Sequence, residues 1–182
     1  MKIRLARESD SRPIQKVIET AFPDEENKMI CNLADELARE IVSPSIKSLP
    51  PIRPLVAELD HQVIGYICYS PIILKDDIDM FGYILAPLAV SPEHQRQGVG
   101  SRLIRSGIDM PTNDGVGVLL VYGDPGYYGR FGFKEETGRL FVPPYPLKYP
   151  SGWTAMMLEA IVVLDPPVRF GCVDALSKPE FW

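Results

Sequence analysis

The hydrophobic pattern in the first third of the chain predicts one strand followed by two helices. Residues 2–6 alternate between polar and apolar side chains, which is typical of a half-buried strand. Apolar side chains recur at helical spacing over residues 14–21, where Asp10 is positioned to cap the helix and Pro23 to end it. The same spacing over residues 29–41 predicts a second helix, which starts at about Glu25.

A proline-rich stretch separates these helices from a run of strands. Proline lacks an N–H for a ladder and breaks helices, so residues 44–54 are predicted to form a loop. Beyond it the pattern predicts four strands and one helix: strands 55–59, 63–74, 82–90 and 116–122, and a helix from about residue 98 to residue 109. The first two strands are joined by the short turn Asp60-His61-Gln62, so we expect a hairpin. The last strand is almost continuously apolar, as strands buried on both faces are.

The last third of the chain carries shorter elements. Asp124 and Pro125 combine a capping side chain with a proline suited to a first helical turn, so a short helix is predicted over residues 126–131. The pattern then predicts two strands, with a loop between them and an irregular tail: a strand from Phe133, loop 142–150, strand 155–164 and a tail from Pro166. The predicted order of elements is therefore β-α-α-β-β-β-α-β-α-β-β.

The composition is that of a globular protein. Hydrophobic residues make up 46% of the 182 residues, and the 18 prolines and 14 glycines stay below the roughly 25–30% that marks disorder. We therefore expect one domain spanning residues 1–182. The net charge of −5 is spread along the chain without a basic run, which argues against a nucleic-acid partner. An apolar run long enough for a membrane span and a signal-peptide pattern are both missing, so we expect a cytoplasmic protein without a membrane partner.

The cysteines and histidines do not suggest a metal site. Cys31, Cys68 and Cys172 are odd in number and widely spaced, so reduced thiols are expected rather than a disulfide framework or a CxxC site. His61 and His94 are the only histidines. We therefore expect neither metal binding nor cysteine catalysis.

One polar segment differs from the patterns that build a core. The heptapeptide QRQGVGS, residues 95–101, lies between a predicted strand and the start of a predicted helix. The first turn of a helix leaves N–H groups unpaired at the positive end of its dipole, and glycines allow a phosphate to approach them. The alternative interpretation is an ordinary helix start that happens to contain two glycines.

Two common phosphate loops do not fit this segment. A Walker A loop ends in Gly-Lys-Ser/Thr, whereas Gly100 is followed by Ser101 and Arg102. A dinucleotide-binding loop requires a third glycine where this chain has Leu103. The segment therefore has to be interpreted from its flanks.

Those flanks resemble the GCN5-related N-acetyltransferase (GNAT) superfamily. LAPLAVSPEHQRQGVGSRLI, residues 85–104, is similar to the acetyl-CoA motif of that family, and GDPGYYGRFGF, residues 123–133, is similar to its Tyr-x-x-x-Gly-Phe segment. Within the superfamily the two motifs resemble most the bacterial YhbS-like proteins. The resemblance implies an α/β (α+β) fold with a mixed, mostly antiparallel sheet of about six or seven strands, helices on both faces and splayed strands 4 and 5. Residues 1–135 would form the core, and residues 136–182 would add C-terminal strands and a tail.

The resemblance also implies which residues bind acetyl-CoA, the expected co-substrate. The backbone of one strand segment would bind the pantetheine arm: Leu88, Ala89 and Val90. Backbone N–H groups of the loop would bind the pyrophosphate, with two side chains beside it: Gln97, Gly98, Val99, Gly100 and Ser101, flanked by Gln95 and Arg96.

The implied chemistry is direct attack of a primary amine on the thioester within a ternary complex. A backbone N–H of Leu88 or Val90 would face the oxyanion, and Tyr128 would be the general acid. The strand before the loop contains no carboxylate to act as base. The remaining candidates for a base are a water chain and three acidic residues: Glu58, Glu93 and Asp124. Tyr128 could instead belong to a core cluster of aromatic rings.

Two other functions remain open at this point. A CoA-binding sensor without transfer activity would explain the missing carboxylate, and a transferase could use another acyl group or an oxygen nucleophile. The acceptor is not identified by the sequence. We expect the stiff proline-rich loops 44–54 and 142–150 to form walls of its site, and the protein to be a monomer or a homodimer.

Overall fold

The computed structural model describes residues 1–45, 49–74, 81–109, 116–158 and 167–182. Within these residues the chain forms seven strands: β1 (Lys2–Leu5), β2 (Arg53–Leu59), β3 (Gln62–Leu74), β4 (Phe81–Val90), β5 (Val116–Tyr122), β6 (Trp153–Met157) and β7 (Phe170–Cys172). The α-helices of the same residues are α1 (Ser11–Ala21), α2 (Asp24–Val42), α3 (Val99–Ile108), α4 (Pro125–Tyr128) and α5 (Glu135–Gly138).

The strands form one mixed sheet in the order β1-β2-β3-β4-β5-β6, with β7 paired to β3. β4 and β5 are parallel, whereas the pairs β1–β2, β2–β3, β3–β7 and β5–β6 are antiparallel. The β4–β5 ladder ends at Ile84↔Leu120, although β4 continues to Val90. The mixed, mostly antiparallel sheet that the sequence predicted is confirmed, and a ladder that ends partway along β4 is what splayed strands 4 and 5 require.

The described chain divides into two compact units. The first contains β1, α1, α2, β2 and α3, together with β3 up to Tyr69 and β4 from Ala86. The second contains β5, β6, β7, α4 and α5, together with the rest of β3 and β4. The single domain expected over residues 1–182 stays a prediction.

Helices cover both faces of the sheet in the first unit. A Cβ built on Gly65 of β3 would lie 3.0 Å from Val99 and 3.1 Å from Leu103, so α3 packs on the face of Gly65. The buried Tyr69 hydroxyl, on the same face, donates to the Ile104 carbonyl over 3.0 Å. Tyr66 belongs to the opposite face, because side chains alternate along a strand, and it lines a cavity with residues of α1 and α2. Helices on both faces were predicted, and this arrangement confirms them.

Aromatic side chains hold the second unit together. Trp153 of β6 donates from Nε1 to the Phe141 carbonyl over 2.9 Å, and its ring stacks on Phe170 at 6.1 Å between centroids. The Trp182 ring meets the Trp153 ring edge-on, with 5.6 Å between centroids. Nε1 of Trp182 donates to the Leu176 carbonyl. β6 and β7 are therefore linked through one tryptophan.

All three cysteines lie in the described residues, and none forms a disulfide bond. Cys68 and Cys172 are buried, and Cys31 is half-buried. Burial raises the pKa of the Cys31 thiol, and the nearby charges of Glu19 and Asp35 raise it further.

The structure corrects four predictions. Asp10 is the N-cap residue of α1, but its side chain makes no hydrogen bond to the helix; its carboxylate accepts from Arg4 and from the Arg7 N–H. Pro54 lies inside β2, where its carbonyl accepts from the Ala6 N–H at 2.8 Å. Because β1 ends at Leu5, opposite Leu55, Pro54 lies just beyond the β1–β2 ladder, where a proline is tolerated.

The other two corrections concern the last third of the chain. The strand predicted from Phe133 is a single bridge, Lys134↔Ala155, followed by α5. The tail predicted as irregular contains β7. The predicted strand 155–164 overlaps β6, but residues 159–164 lie outside the described part of the chain.

Candidate active site

The predicted loop ends in a tight turn before α3. Arg96 and Gly98 both have left-handed backbone conformations, with φ of 58° and 83°. Such a φ is uncommon for a non-glycine residue and is concentrated at functional loops. Gly98 is the N-cap of α3, and the Arg102 N–H donates to its carbonyl over 3.0 Å.

The N-terminus of α3 is open to a ligand. Among the described residues, no side chain caps it, and its first turn contains no acidic residue. The N–H groups of Val99, Gly100 and Ser101 precede the first possible intrahelical bond, so α3 itself offers them no acceptor. A Cβ built on Gly98 meets no described atom within 4 Å, so the turn leaves space for a ligand at this helix end. Together with the helix dipole, these donors suit an anion.

Two glutamines hold the loop through its own backbone. Gln95 donates from Nε2 to the Val90 carbonyl over 3.0 Å, and Gln97 donates from Nε2 to the Glu93 carbonyl over 2.7 Å. The His94 Nδ1 atom is buried and has no hydrogen-bond partner among the described residues. The Gln95 amide therefore supports the end of β4. Its predicted place beside a pyrophosphate stays a prediction.

The end of β4 directs alternate backbone groups to opposite sides. The Ser91 N–H donates to the Ile64 carbonyl of β3 over 3.0 Å. Successive residues of a strand point their N–H groups to opposite edges, so those of Leu88 and Val90 point away from β3. The β4–β5 ladder has ended before this point. Leu88 and Val90 therefore have the orientation expected for groups that bind an extended ligand.

Tyr128 is positioned by the turn that follows β5. The Asp124 carboxylate accepts from the Gly126 N–H over 2.9 Å and caps α4, which confirms the predicted short helix. Gly123 allows the ring to approach, because a Cβ there would lie 2.6 Å from Cε2 of Tyr128.

Neighbouring rings and burial set the chemistry of this tyrosine. The Tyr128 ring meets Tyr127 and Phe133 edge-on at 5.2 Å and 5.9 Å between centroids. Burial raises the pKa of its hydroxyl above the ordinary value of 10.0, and Tyr127 and Asp124 raise it further. Tyr128 is therefore protonated at neutral pH, as a proton donor must be. The loop residues belong to the first unit and Tyr128 to the second.

Comparison with known proteins identifies the family. The sequence profile of the acetyltransferase (GNAT) domain matches residues 50–135. The "Uncharacterized N-acetyltransferase YjhQ" of Escherichia coli (strain K12) is 34% identical over 158 residues, which cover 84% of this chain and 81% of that protein. The chain belongs to the GNAT family. The E. coli N-acetyltransferase YhbS is 39% identical over 82 residues, 44% of this chain and 48% of the relative.

Solved GNAT structures share the fold. YhbS from Escherichia coli, solved in complex with CoA, has a TM-score of 0.72 and 26% identity, covering 93% of this chain and 89% of that one. A GNAT acetyltransferase from Brucella melitensis, solved in complex with acetyl-CoA, has a TM-score of 0.63 and 27% identity, covering 88% and 90%. The GNAT fold predicted from the two motifs is therefore confirmed.

Two of the three acidic residues considered as bases already have partners in this GNAT domain. Glu58 accepts from Arg4 at 2.7 Å, and this bond lowers the pKa of its carboxyl. Asp124 caps α4, as described above. Glu93 lies in the short helical turn Pro92–His94 at the surface. Glu58 therefore lacks the raised pKa that a general base near neutral pH requires.

Sequence reasoning missed two polar clusters of the first unit. One joins Arg4, Asp10 and Glu58, and the other joins Gln15 of α1 to Asp35 of α2 over 2.8 Å and 2.9 Å. The sequence did contain a signal for the second cluster, because each helix has one of these polar residues beside its apolar stripe.

The described residues contain neither a metal-binding cluster nor a membrane-spanning helix. In that part of the chain, no group of three or more His, Cys, Asp or Glu side chains is arranged to hold a metal ion. No helix there is both long and apolar enough to span a membrane.

Proposed function

We propose that this GNAT protein transfers the acetyl group of acetyl-CoA to a primary amine by direct attack in a ternary complex. The observation that carries the proposal is the uncapped N-terminus of α3 behind the left-handed Gly98. Relatives of similar fold were solved with CoA and with acetyl-CoA. The loop N–H groups from Gln97 to Ser101 would bind the pyrophosphate, and Arg96 would add positive charge beside it.

The reaction follows from the groups along β4 and α4. The neutral amine attacks the thioester carbon, and the carbonyl oxygen becomes an oxyanion that the N–H of Leu88 or Val90 stabilises. The C–S bond then breaks, and the CoA thiolate takes the proton of the Tyr128 hydroxyl. The extra proton of the acylated nitrogen leaves through water and restores the tyrosine. No carboxylate base is assigned, since residues 83–90 contain none.

Binding of the pyrophosphate is tested by calorimetry with CoA and with pantetheine, which has no phosphate groups. CoA should bind at least about 100-fold more tightly, because charge-assisted hydrogen bonds contribute about 1.5–3 kcal/mol each. Equal affinities for the two compounds would contradict the predicted role of the loop. Failure of both CoA and acetyl-CoA to bind would overturn the proposal.

A negative charge introduced at the N-terminus of α3 gives a matched test on the protein side. Gly98→Asp puts a carboxylate into the open space where the phosphates would lie, and Gly98→Asn puts an isosteric neutral group there. Asp and Asn both tolerate left-handed backbone, so the strain is similar. We expect CoA to bind Gly98→Asp at least about tenfold more weakly than Gly98→Asn, a difference of about 1.4 kcal/mol. Identical affinities would mean that the phosphates lie elsewhere.

A cavity supports the expected role of loop 142–150 in holding the acceptor. The cavity has a volume of about 420 Å³ and lies in the second unit between α5, this loop and Trp153. The Tyr149 N–H of the loop donates to the Tyr122 hydroxyl at the end of β5 over 2.8 Å. Alanine scanning of loops 44–54 and 142–150 should change acceptor selectivity. Unchanged selectivity in every variant would remove both loops from the acceptor site.

One observation favours a second function, that of a CoA-binding sensor without transfer activity. The strand before the loop lacks a carboxylate, and Glu58 and Asp124 are engaged in structural contacts. The two functions are separated by incubating the protein with acetyl-CoA and a panel of amines and peptides. Release of CoA together with an acetylated amine supports transfer, whereas tight CoA binding without turnover supports the sensor.

A further inference from the structure

A cavity of about 760 Å³ lies entirely within the first unit. It is bounded by α1, α2 and the start of β2, and the buried Tyr66 contributes from the sheet. Its volume falls in the range of about 300–1,000 Å³ that is typical of small-molecule sites. Its apolar lining comes from both helices: Ile14, Ala34, Ala38, Ile41 and Val42.

This cavity is on the opposite face of the sheet from α3. Gly65 and Tyr69 of β3 contact α3, whereas Tyr66 faces the cavity. None of its lining residues belongs to the loop of residues 95–101. The cavity is therefore separated by the sheet from the helix end proposed to bind pyrophosphate.

The least exposed charged residue that lines the cavity is Asp35. Asp35 is half-buried, and its two oxygens lie 2.8 Å and 2.9 Å from Nε2 of Gln15. An amide is a neutral donor, so it fixes the carboxylate without neutralising its charge. In the part of the chain that the structure describes, Asp35 forms no salt bridge.

The other charged side chains lie at the rim. Arg7, Glu8 and Arg39 are exposed, so water already solvates them. Arg7 interacts electrostatically with Asp10 and Glu58, and Arg39 lies in the last turn of α2, where the helix dipole favours a cation. The one charged lining residue that is not exposed is therefore an acid.

We infer that this cavity binds a small molecule with a protonated amine on an apolar body. The ammonium group donates to Asp35, and the apolar body packs between α1 and α2 against Ile14, Ala34 and Ala38. A carboxylate at this position would repel an anionic ligand of the same shape. The inference does not depend on the proposed acetyl transfer and is tested without acetyl-CoA.

Three probes of equal length separate charge from shape: n-hexylamine, 1-hexanol and hexanoate. Titrations are followed by amide NMR of the full chain near neutral pH, where hexylamine is a cation. Hexylamine should shift the amide signals of Gln15 and Asp35, and hexanol should bind at least about tenfold more weakly because it forms no charge-assisted hydrogen bond. Equal or tighter binding of hexanoate, or no shift at Gln15 and Asp35 with hexylamine, would overturn the inference.

A matched pair of variants isolates the carboxylate. Asp35→Asn keeps the shape and a hydrogen bond to Gln15, and Glu25→Gln removes the same charge from the exposed first turn of α2. Affinity for hexylamine should fall at least about tenfold in Asp35→Asn and remain unchanged in Glu25→Gln. Equal affinity in both variants would contradict the inference. If Asp35→Asn does not fold, the comparison of the three probes on the unmodified protein decides.

Discussion

Gly107 in α3 shows how one missing side chain positions two elements. A Cβ at this position would overlap the ring of Tyr69, whose hydroxyl bonds to the carbonyl of Ile104. Alanine is the better helix former by about 1 kcal/mol, but overpacking a core costs about 1–3 kcal/mol. The steric effect is therefore expected to exceed the gain in helix propensity.

A Cβ at Gly107 would lie 1.9 Å from a ring atom of Tyr69, so the overpacking cost is expected at the upper end of its range. After subtraction of the gain in helix propensity, Gly107→Ala should lower the free energy of unfolding by about 2 kcal/mol. Urea denaturation followed by circular dichroism measures the change. Gly129→Ala is the control, because a Cβ at Gly129 meets nothing within 4 Å and its φ is −56°. That variant should be neutral or stabilised, and an unaffected Gly107→Ala would show that the ring of Tyr69 can shift without cost.

The hydroxyl of Tyr128 is the group on which the proposed chemistry depends most. Tyr128→Phe keeps the ring contacts with Tyr127 and Phe133 and removes the proton. Loss of a general acid should lower kcat by about 10²–10⁴-fold and leave the affinity for acetyl-CoA unchanged. Thiol release measures kcat, and calorimetry measures binding. Tyr127→Phe is the control, and a kcat unchanged in Tyr128→Phe would exclude the assigned role.

The raised pKa of Tyr128 also has a consequence for pH dependence. Because burial shifts the pKa of the hydroxyl above 10.0, the tyrosine keeps its proton throughout neutral and mildly alkaline conditions. If kcat falls as the pH is raised from neutral toward 10, the titrating group is therefore not Tyr128.

At the scale of elements, a three-residue ion network ties β1 to β2 and to the turn before α1. Asp10 is buried, and its carboxylate accepts from Arg4 at 2.6 Å and 3.0 Å and from the Arg7 N–H at 2.7 Å. Glu58 accepts from the same guanidinium at 2.7 Å. The hydrogen bonds from Arg4 lower the pKa of Asp10 and outweigh the opposing effect of burial.

The substitution Asp10→Asn should destabilise the protein by about 3 kcal/mol at pH 7, because it leaves a partly buried cation short of a partner. In the unmodified protein the pKa of Asp10 is lower in the folded state than in the unfolded state. The resulting stabilisation is fully present above the unfolded-state pKa of about 3.9 and is lost as the pH falls toward the folded-state pKa. Urea denaturation at pH 7, 5 and 3 should show a steeper acid loss for the unmodified protein than for Asp10→Asn. Glu8→Gln, an exposed acid in the same turn, is the control, and parallel pH profiles for all three proteins would contradict the prediction.

Elements defined by local pattern were predictable from the sequence, and those defined by distant partners were not. The continuous apolar run predicted β5 with the bounds that the structure has, Val116–Tyr122. β7 has three residues and pairs with β3, far away in the chain, so no local period indicated it. Glu135 and Glu136 favour the first turn of a helix, which is why the strand predicted from Phe133 does not continue.

The same distinction applies to the candidate site. Glycine spacing and polarity were enough to predict the loop before α3, because helix starts are local features. The contact between Gln15 and Asp35 depends on how α1 packs against α2, so each residue looked like an ordinary polar position in the sequence. The left-handed Arg96 was also unpredictable, since a non-glycine residue gives no signal for positive φ.

At the scale of the whole molecule, cooperativity tests whether residues 1–182 form one domain. Helices α1, α2 and α3 belong to the first unit, and both tryptophans, Trp153 and Trp182, belong to the second. β3 and β4 each contribute residues to both units. Unfolding of either unit would therefore disrupt strands that the other unit uses.

We predict a single unfolding transition. Circular dichroism at the helix signal reports mainly the first unit, which contains the three longest helices, and tryptophan fluorescence reports the second. The two urea curves should share one midpoint and one slope, as expected for a cooperative domain. Separate midpoints would indicate two independently folding domains, and the midpoint of the fluorescence curve would then belong to the second unit alone.

The three cysteines, none of which forms a disulfide bond, make the protein suitable for chemical labelling. Cys68 is buried in the first unit and Cys172 in the second, so an alkylating reagent reaches each only when its own unit opens. Cys31 is partly accessible, but its raised pKa keeps it mostly in the unreactive thiol form. Mass spectrometry of the two alkylated peptides can therefore measure the opening rate of each unit without an introduced probe, and equal rates are expected where the whole chain unfolds in one transition.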